Sequence, residues 1–487
     1  MMTHRLALLG SAACLLMATD LAAAPLSDAQ QAWLDAAITA YEPRMTEVAQ
    51  TIWANPELGY LETGTVALLS GELEANGFTV ETGIAGLPTG FVASKGTGDG
   101  PVIAILAEMD ALPGFSQDAV PYQQAVEGIT AGHACGHHLF GAGSVAAAIA
   151  VAQWLEDEGI PGQVRLYGTP AEEGGSGKVY MAREGVFDDV DVALHWHPAS
   201  SNSASQGWSL SNVSAKIRFY GQSAHAALAP EQGRSALDGL EATTHMVNML
   251  REHVPQDTRI HYVISNGGSA PNVVPDFAEL YLYVRHQDPR IVGEVFDRVE
   301  QAAMGGAMGT GTRVEIERMS GVYSVLPNDV LGQVMDSNLR AQPAISWTED
   351  ETAFATELAE TLRAPGDFAS VGTVDAYEFG DVGFYSTDVG DVSWIVPTVG
   401  LGTATYVQGT PAHSWQAVAA GGMSIGHKGT ALAARTLAAT AIELFQSPEV
   451  LEAAKAEFDA ARGDAFSYEA LIGDRLPPLD YRAPAAQ

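Results

Sequence analysis

Four short clusters of cysteine, histidine and glutamate stand out because each combines side chains that bind divalent metals. The clusters are Gly132–His138 with Cys135 and His137, Thr169–Gly175 with Glu172 and Glu173, His195–Pro198, and Gly409–Trp415 with His413. Thiolate, imidazole and carboxylate all bind borderline ions such as zinc. Each cluster alone has a structural explanation, as a buried cysteine, a solvated acidic turn or a structural histidine. Four such clusters together predict a metal site.

The acidic cluster also offers a group for proton transfer. Two adjacent carboxylates point in different directions, so one of Glu172 and Glu173 can bind metal while the other takes a proton from water. Asp110 ends an apolar run and is placed to orient a metal ligand.

Three polar residues later in the chain could contact a substrate. His225 and Asn272 lie in short loops, and Arg285 lies in an apolar run. An arginine can bind a carboxylate with two parallel hydrogen bonds. For Arg285 the alternative is a strand residue that faces solvent.

The elements around the clusters alternate between strand and helix. The sequence predicts a mostly helical segment over 28–75, strands over 90–94, 102–106, 164–168 and 190–194, and a helix over 141–156. Two clusters directly follow strands, and the carboxyl ends of strands are where sites form in open α/β sheets. The pattern predicts a three-layer α/β/α domain.

A different rhythm begins near residue 215. Predicted strands at 215–220, 259–265, 277–286 and 313–318, with helices at 235–253 and 290–304, give the order β-α-β-β-α-β of a ferredoxin-like module. A strand at 394–399 and helices at 423–445 and 448–462 then resume the first rhythm. We therefore expect an α/β domain (25–213 and 328–487) interrupted by an inserted α+β domain (214–327). The Pro- and Ala-rich tail from Pro477 is expected to be mobile.

Composition bounds the function. Asp and Glu number 59 against 24 Lys and Arg, for a formal charge of -35, which disfavours nucleic acid and anionic membranes as partners. An apolar share of 47% excludes a disordered chain.

The N-terminal segment has the parts of a secretory signal: a basic start, an apolar stretch from Leu6 to Met17, and Ala22–Ala24. We expect residues 1–24 to be removed and the protein to be secreted, most simply to a periplasm. A lipid anchor at Cys14 and an uncleaved membrane anchor are the alternatives. Cleavage would leave Cys135 as the single cysteine, so no internal disulfide could form.

The motifs together resemble the dinuclear metallopeptidase family that includes carboxypeptidase G and aminoacylase, and within it the p-aminobenzoyl-glutamate hydrolase subgroup. The resemblance spans about residues 52–445. Its anchors are Glu-Met-Asp-Ala-Leu-Pro at 108–113, His-Ala-Cys-Gly-His at 133–137, Pro-Ala-Glu-Glu at 170–173, Trp-His-Pro at 196–198, Ser-Ala-His ending at 225, and His-Ser-Trp at 413–415.

This resemblance implies a role for each matched residue. Cys135 would bridge two divalent ions, Mn²⁺ or Zn²⁺, and the other metal ligands would be His137, Glu173, His197 and His413. Glu172 would be the general base and then the general acid, and Asp110 would support a ligand. The inserted domain would be a lid and dimerisation domain. From it His225 would reach the partner's active site in a homodimer, while Asn272 and Arg285 would hold the substrate carboxylate.

The chain departs from the family pattern at two positions. Position 138 is His where many relatives carry Asp, so His138 is either a spectator or an extra ligand. Glu108 stands where carboxypeptidase-type relatives carry a metal-binding histidine. His195 is a weaker alternative to His197 as the ligand.

The sequence therefore predicts a metal-dependent amidohydrolase that uses a metal-activated water and Glu172 to cleave N-acyl or N-aroyl amino acids such as p-aminobenzoyl-glutamate. A dipeptidase or carboxypeptidase acting on short peptides is the alternative within the enzymes. A catalytically silent metal- or peptide-binding protein is the alternative outside them. A hydrolase with Cys135 as nucleophile would leave Glu172, Glu173, His197 and His413 without a role.

Overall fold

Two β-sheets organise the chain, and the computed structural model describes residues 25–483. The expected secretory segment, residues 1–24, lies outside the described residues. The strands are β1 (Thr79–Thr82), β2 (Phe91–Gly96), β3 (Val102–Glu108), β4 (Leu112–Pro113), β5 (Ala131–Gly132), β6 (Gln163–Thr169), β7 (Val192–Ala199), β8 (Gln206–Trp208), β9 (Ser211–Tyr220), β10 (Arg259–Asn266), β11 (Phe277–His286), β12 (Arg313–Val322), β13 (Phe379–Val382) and β14 (Thr398–Ala404).

The α-helices lie mostly between these strands. They are α1 (Asp28–Ala54), α2 (Thr63–Ala75), α3 (His137–Glu158), α4 (Gly177–Arg183), α5 (Ala236–Leu250), α6 (Pro289–Thr310), α7 (Asp329–Ala341), α8 (Glu349–Ala359), α9 (Val389–Ser393), α10 (Trp415–Gly421), α11 (Ser424–Gln446) and α12 (Pro448–Arg462).

The larger sheet has the order β1-β2-β6-β3-β7-β14. Strands β6, β3, β7 and β14 run parallel, and β1 and β2 add an antiparallel edge. Residues of β3 alternate between two cores, with Ile103 and Ile105 in the core under α1, α3 and α11, and Ala104 and Leu106 in the core under α4 and α9. A strand buried on both faces reads as a continuous apolar run. The predicted α/β/α fold class is confirmed.

Helix α3 is the one α-helix within residues 25–483 that is long and apolar enough to cross a membrane. It packs instead against β3, α1 and α11, and nearly all of its length is buried inside the protein. Its apolar character is therefore explained by its central place in the core.

The second sheet, of order β10-β11-β9-β12, is antiparallel throughout and carries α5 and α6 on one face. Leu280, Leu282 and Val284 of β11 are buried in that core. The alternate residues Tyr281 and Tyr283 project from the opposite face, because successive side chains of a strand point in opposite directions. The order β9-α5-β10-β11-α6-β12 is that of the predicted module, which we refer to as the lid.

Two expectations were wrong. The strand predicted at 394–399 is Thr398–Ala404 in the structure. The amides of Ile395 and Val396 bond back to Val392, closing α9, and Pro397 has no amide hydrogen for a ladder.

The tail from Pro477, which was expected to be mobile, is the second difference, because Tyr481 and Arg482 donate hydrogen bonds to the Glu173 carbonyl. Residues 463–483 are docked against both domains, and they bury Leu471 and Ile472. We call this segment the C-terminal strap.

Candidate metal centre and active site

Cys135 and His137 stand at the start of α3, on either side of Gly136. Gly136 has a φ of 77°, in the left-handed region, and a Cβ there would lie 2.4 Å from the Tyr406 hydroxyl and 2.7 Å from Pro198 Cβ. Only glycine fits such a position without strain. The Cys-Gly-His spacing therefore lets the backbone turn sharply between two metal-binding side chains.

Two groups of potential ligands share the Cys135 thiol. One group is Cys135, His137 and His197, and the other is Cys135, Glu173 and His413, with the ligand atoms of each group within 4.8 Å of one another. Ligands at about 2.0–2.3 Å from an ion lie within roughly 4.6 Å of each other. The two groups thus have the dimensions of two metal sites that meet at one sulfur.

Hydrogen bonds fix which nitrogen each histidine presents to the cluster. His137 Nδ1 lies 3.0 Å from Asp110 Oδ1, and His197 Nδ1 lies 2.8 Å from the Pro198 carbonyl oxygen. In each ring Nδ1 therefore carries a proton, and Nε2 is the nitrogen that faces the cluster. His197 Nε2 lies 3.5 Å from Cys135 Sγ. Such partners orient metal-binding histidines and raise their basicity.

The charges of the cluster suit divalent cations. Burial alone would raise the pKa of the Cys135 thiol, but charge interactions with His197 and His137 outweigh burial and hold that pKa well below its usual range. Hydrogen bonds to Cys135 and Glu173 raise the pKa of His413 to about 10. Without metal, the thiolate and the Glu173 carboxylate thus favour protonated, positively charged imidazoles beside them. Bound cations would supply that positive charge instead.

One buried pair supports the same conclusion. His137 Nε2 and Glu108 Oε2 lie 3.1 Å apart, and neither atom makes a hydrogen bond among the described residues. Two electron-pair donors that face each other in a buried site require a proton or a cation between or beside them. The residues present therefore fit a divalent metal.

Glu172 lines the cavity beside this cluster, and its carboxylate forms a third group with Glu108 and His137, whose ligand atoms lie within 4.8 Å of one another. Burial, followed by repulsion from Glu108 and Asp388, raises the pKa of Glu172 well above its usual range. A carboxyl group tuned in this direction is suited to take up a proton and give it back.

A buried lysine balances the acids behind the cluster. Lys178 is fully buried, and its Nζ lies 2.7 Å from Glu108 Oε1 and 2.7 Å from Asp388 Oδ1. Burial alone would raise the pKa of Glu108, but Lys178 and His137 outweigh it and keep that pKa low. Lys178 thus keeps Glu108 ionised next to His137.

The backbone at the site is strained at several non-glycine residues, two of which carry or adjoin potential ligands. Ala171, which precedes the Glu172–Glu173 pair, has a φ of 56°, and His413 has the same value. The Ala171 amide donates to Glu62 Oε1 over 2.8 Å, and the His413 amide donates to the Ala134 carbonyl over 2.9 Å. Strain of this kind persists only where surrounding contacts fix it, and it is common at active sites.

A cavity of about 920 Å³ opens over the cluster, between the larger domain and the lid. The lid face contributes Asn212, Tyr281 and Tyr283, and the strap contributes Arg475 and Arg482. This volume is in the range of cavities that hold small-molecule ligands.

The structure brings together seven of the ten residues singled out for the site. Cys135, Glu172, Glu173, His197 and His413 line the cavity, with His137 and Asp110 directly behind them.

The other three lie elsewhere. His225 and Asn272 are exposed on neighbouring loops, joined by the His225–Val273 bridge, and they do not line this cavity. Arg285 lies on the same face of β11 as Tyr283 but is not part of the cavity wall, and its Nε is buried with no hydrogen-bond partner among the described residues.

The structure also shows the positions of His138 and His195, the two histidines whose role as metal ligands the sequence did not decide. His138 belongs to neither ligand group, its ring is tilted against that of His133, and its Nε2 lies 3.0 Å from the Gly421 carbonyl oxygen. His195 packs on Gly400, where a Cβ would lie 2.3 Å from its ring, and belongs to neither ligand group.

Sequence reasoning missed Lys178, Asp388, Tyr406 and the two arginines of the strap. None of them lies in a recognisable motif. One feature of the sequence could have indicated Lys178. Basic residues are rare in this chain, with 24 Lys and Arg, so a lysine that closely follows the Glu172–Glu173 pair is notable.

Comparison with known proteins agrees with this arrangement. A model for the peptidase family M20/M25/M40 matches residues 104–380. One of the subunits of the p-aminobenzoyl-glutamate hydrolase of Escherichia coli (strain K12) is 41% identical over 452 residues, covering 87% of this chain and 94% of that protein. The Xaa-Arg dipeptidase of Mus musculus is 30% identical, covering 85% and 89% respectively. The crystal structure of an aminobenzoyl-glutamate utilization protein from Klebsiella pneumoniae matches with a TM-score of 0.61 at 20% identity, covering 84% of this chain and 98% of that one.

Proposed function

This chain belongs to the M20/M25/M40 peptidase family, and from that premise we propose that it is a metal-dependent amidohydrolase that cleaves N-aroyl or N-acyl amino acids. The observation that carries the proposal is that the two ligand groups sharing Cys135 and the carboxylate of Glu172 lie at one cavity. The 41% identity to a p-aminobenzoyl-glutamate hydrolase subunit supports an aroyl amino acid as substrate.

The residues of the chain divide the chemistry between them. When bound, divalent cations lower the pKa of water and polarise the scissile carbonyl. Glu172 takes a proton from the attacking water at its carboxylate and returns it to the leaving amine. Asp110 holds His137 in place, and the buried Lys178 keeps Glu108 charged. The products are a carboxylic acid and a free amino acid.

We propose two ions per subunit, with Cys135 shared between them. The two ligand groups that meet at its sulfur support this number. Thiolate and imidazole favour zinc, whereas the carboxylates favour manganese, and metal analysis of protein purified without added metal distinguishes the two.

We propose that the active protein is a homodimer in which His225 of one subunit serves the cavity of the other. His225 Nδ1 accepts hydrogen bonds from the amides of Ala227 and Leu228, at 3.2 and 3.1 Å, so the proton lies on Nε2. That exposed N–H can stabilise an oxyanion. Exposed apolar side chains nearby, among them Leu228 and Val273, and the free edge of β10 favour association through the lid.

Mixing two inactive variants tests the shared site. Heterodimers of Glu172→Ala and His225→Ala subunits contain one complete site of two, so about a quarter of wild-type activity should return after subunit exchange. Continued inactivity of the mixture would refute the shared site. Because the Escherichia coli relative is one subunit of its enzyme, light scattering and activity of the purified chain alone also show whether a second kind of subunit is required.

For localisation we propose export, on the basis of the basic, apolar and small-residue pattern of residues 1–24. Cell fractionation with N-terminal sequencing of the recovered protein tests this proposal. A cytoplasmic protein that retains Met1 would contradict it.

A dipeptidase is the second candidate, because the mouse relative with 30% identity is an Xaa-Arg dipeptidase. The arginines in the cavity wall disfavour a substrate with a cationic side chain and favour an anionic one.

A substrate panel decides between these functions. Metal-stripped protein is supplied with Mn²⁺ or Zn²⁺ and assayed on p-aminobenzoyl-glutamate, other N-acyl amino acids and dipeptides. Metal-restored cleavage of N-acyl amino acids that disappears in Glu172→Ala supports the proposal. Activity without metal would favour Cys135 as nucleophile, and tight metal binding without turnover would favour a silent binding protein.

A further inference from the structure

The C-terminal strap, residues 463–483, joins the two domains at the cavity. On the lid side, the Tyr323 hydroxyl donates to the Glu469 carbonyl over 2.9 Å and Arg318 donates to the Leu471 carbonyl over 3.0 Å. On the other side, Arg183 donates to the Arg475 carbonyl over 2.8 Å. The strap is therefore held from both domains before its last residues reach the cavity.

Its last turn touches the catalytic loop. The Tyr481 hydroxyl and the Arg482 guanidinium both donate to the backbone carbonyl of Glu173, over 3.1 and 2.9 Å. The Tyr481 ring packs edge-on against Tyr60, with centroids 5.7 Å apart. Arg482 thus lies directly beside the ligand cluster.

The charge of Arg482 is not matched by the protein. Among residues 25–483 no carboxylate lies within 4.0 Å of its guanidinium, although Glu108 and Asp388 in the same cavity both pair with Lys178. The Nε of Arg482 is buried and makes no hydrogen bond to the described residues. A guanidinium has five N–H donors, so most of its hydrogen-bonding capacity is left for a ligand.

Arg475 adds a second cation to the same wall. It donates to the Met319 carbonyl, and its nearest acid, Glu317, is 3.7 Å away and outside the cavity wall. Two arginines from one strap give an otherwise acidic site a cationic side.

We infer that Arg482, supported by Arg475, binds the side-chain carboxylate of the substrate, so that the chain selects N-aroyl derivatives of dicarboxylic amino acids. This inference rests on the proposed function. A planar guanidinium matches a carboxylate in a fixed fork geometry. The aromatic side chains Tyr281 and Tyr283 on the facing lid wall suit the aroyl group.

The rival role for Arg482 is to hold the Glu173 carbonyl and thereby the acidic loop. A neutral carbonyl that already accepts a bond from Tyr481 does not require a full charge. The two roles differ in what they change: binding a side-chain carboxylate affects only acidic substrates, whereas holding the loop affects every substrate.

The experiment compares p-aminobenzoyl-glutamate with p-aminobenzoyl-glutamine, which has nearly the same shape without the second charge. Steady-state kinetics are measured for the metal-loaded wild type, Arg482→Gln, Arg482→Lys and Arg475→Gln. Arg313→Gln, an exposed arginine of the lid, is the control. We expect Arg482→Gln to raise KM for the glutamate compound about 10- to 100-fold and to leave the glutamine compound within about threefold. Arg482→Lys should keep part of the preference.

Three results would overturn the inference: an equal fall of kcat on both compounds, an equal rise of KM on both, or no change. If the wild type cleaves neither compound, the proposed function fails separately. Equilibrium binding of the same two compounds to the same variants then decides the inference, since a preference for glutamate that disappears in Arg482→Gln still supports it.

Discussion

His137 is held by Asp110 through a 3.0 Å contact between Nδ1 and Oδ1, and the other oxygen of Asp110 accepts the Glu173 amide over 2.9 Å. One buried carboxylate therefore fixes a residue from each of the two ligand groups.

Asp110→Asn keeps the shape of the side chain but removes the negative charge that accepts the hydrogen bonds from His137 and from the Glu173 amide. We expect the affinity for metal to fall about 10- to 100-fold, measured by chelator competition with Zn²⁺ or Mn²⁺. Asp336→Asn on α7, which is outside the cavity and the ligand groups, is the control, and equal affinities for all three proteins would contradict the role of Asp110.

Substitutions of the adjacent residues Glu172 and Glu173 should have different effects, one on proton transfer and the other on metal binding. Glu172→Gln removes the base and should lower kcat at least about 100-fold while metal content is retained. Glu173→Gln removes the negative charge from the 2.8 Å contact with His413 and from the ligand group, and should lose metal first. Metal content per subunit, measured beside kcat, distinguishes the variants. Loss of metal from Glu172→Gln would assign that residue to the ligands instead.

Lys178 should be essential for stability. Lys178→Met leaves the buried carboxylates of Glu108 and Asp388 without their cation, which typically costs about 3–5 kcal/mol in the free energy of unfolding. Urea unfolding of the metal-free protein measures the loss. Lys455→Met, which removes an exposed pair with Asp459, should cost less than about 1 kcal/mol. Similar losses from the two variants would show that the buried pairs contribute no more than a surface pair.

Asp391 should make stability depend on pH. Burial raises the pKa of Asp391 from 3.8 to about 8, although Tyr323 and Tyr468 donate hydrogen bonds to it. Between these values the folded protein holds a proton that the unfolded chain releases. Its contribution is therefore complete below about pH 4 and is lost as the pH rises towards 8, by up to about 1.4 kcal/mol per pH unit.

Asp391→Asn tests this sign. The variant should gain stability relative to the wild type as the pH is raised from about 5 to about 8 in urea-unfolding series. A constant difference across that range would show that Asp391 has the same pKa in the folded and unfolded chain.

Local sequence patterns predicted the parts of the fold that depend on local physics. The apolar runs of β3 and β6 and the β-α-β-β-α-β order of the lid follow from periodicity, and the α/β class is confirmed. The prediction of a strand at 394–399 was wrong for two reasons. Trp394 and Val396 are apolar because they are buried in a turn, and β14 contains Gly400 and Gly402, which weaken the sequence pattern of a strand.

The missed contacts join residues that are far apart in sequence. Lys178 meets Asp388 across 210 positions, and Arg482 meets Glu173 across 309. No local motif encodes such a pairing, because each partner is an ordinary charged residue in its own segment. The motif residues, by contrast, carry their chemistry in their spacing, as Cys135 and His137 do around Gly136.

The pairing of β14 with β7 has a consequence for how the protein forms. Thr398 aligns with Ala193, so the sheet of the larger domain closes only after roughly two hundred intervening residues have emerged and the lid has been made. His413 and the strap follow later still in the chain. A nascent chain therefore holds Cys135 without His413, the last member of the second ligand group, until synthesis is nearly complete. Maturation should accordingly be limited by the C-terminal fifth of the chain, and a truncation before Thr398 should leave the sheet without β14 and the ligand cluster without His413.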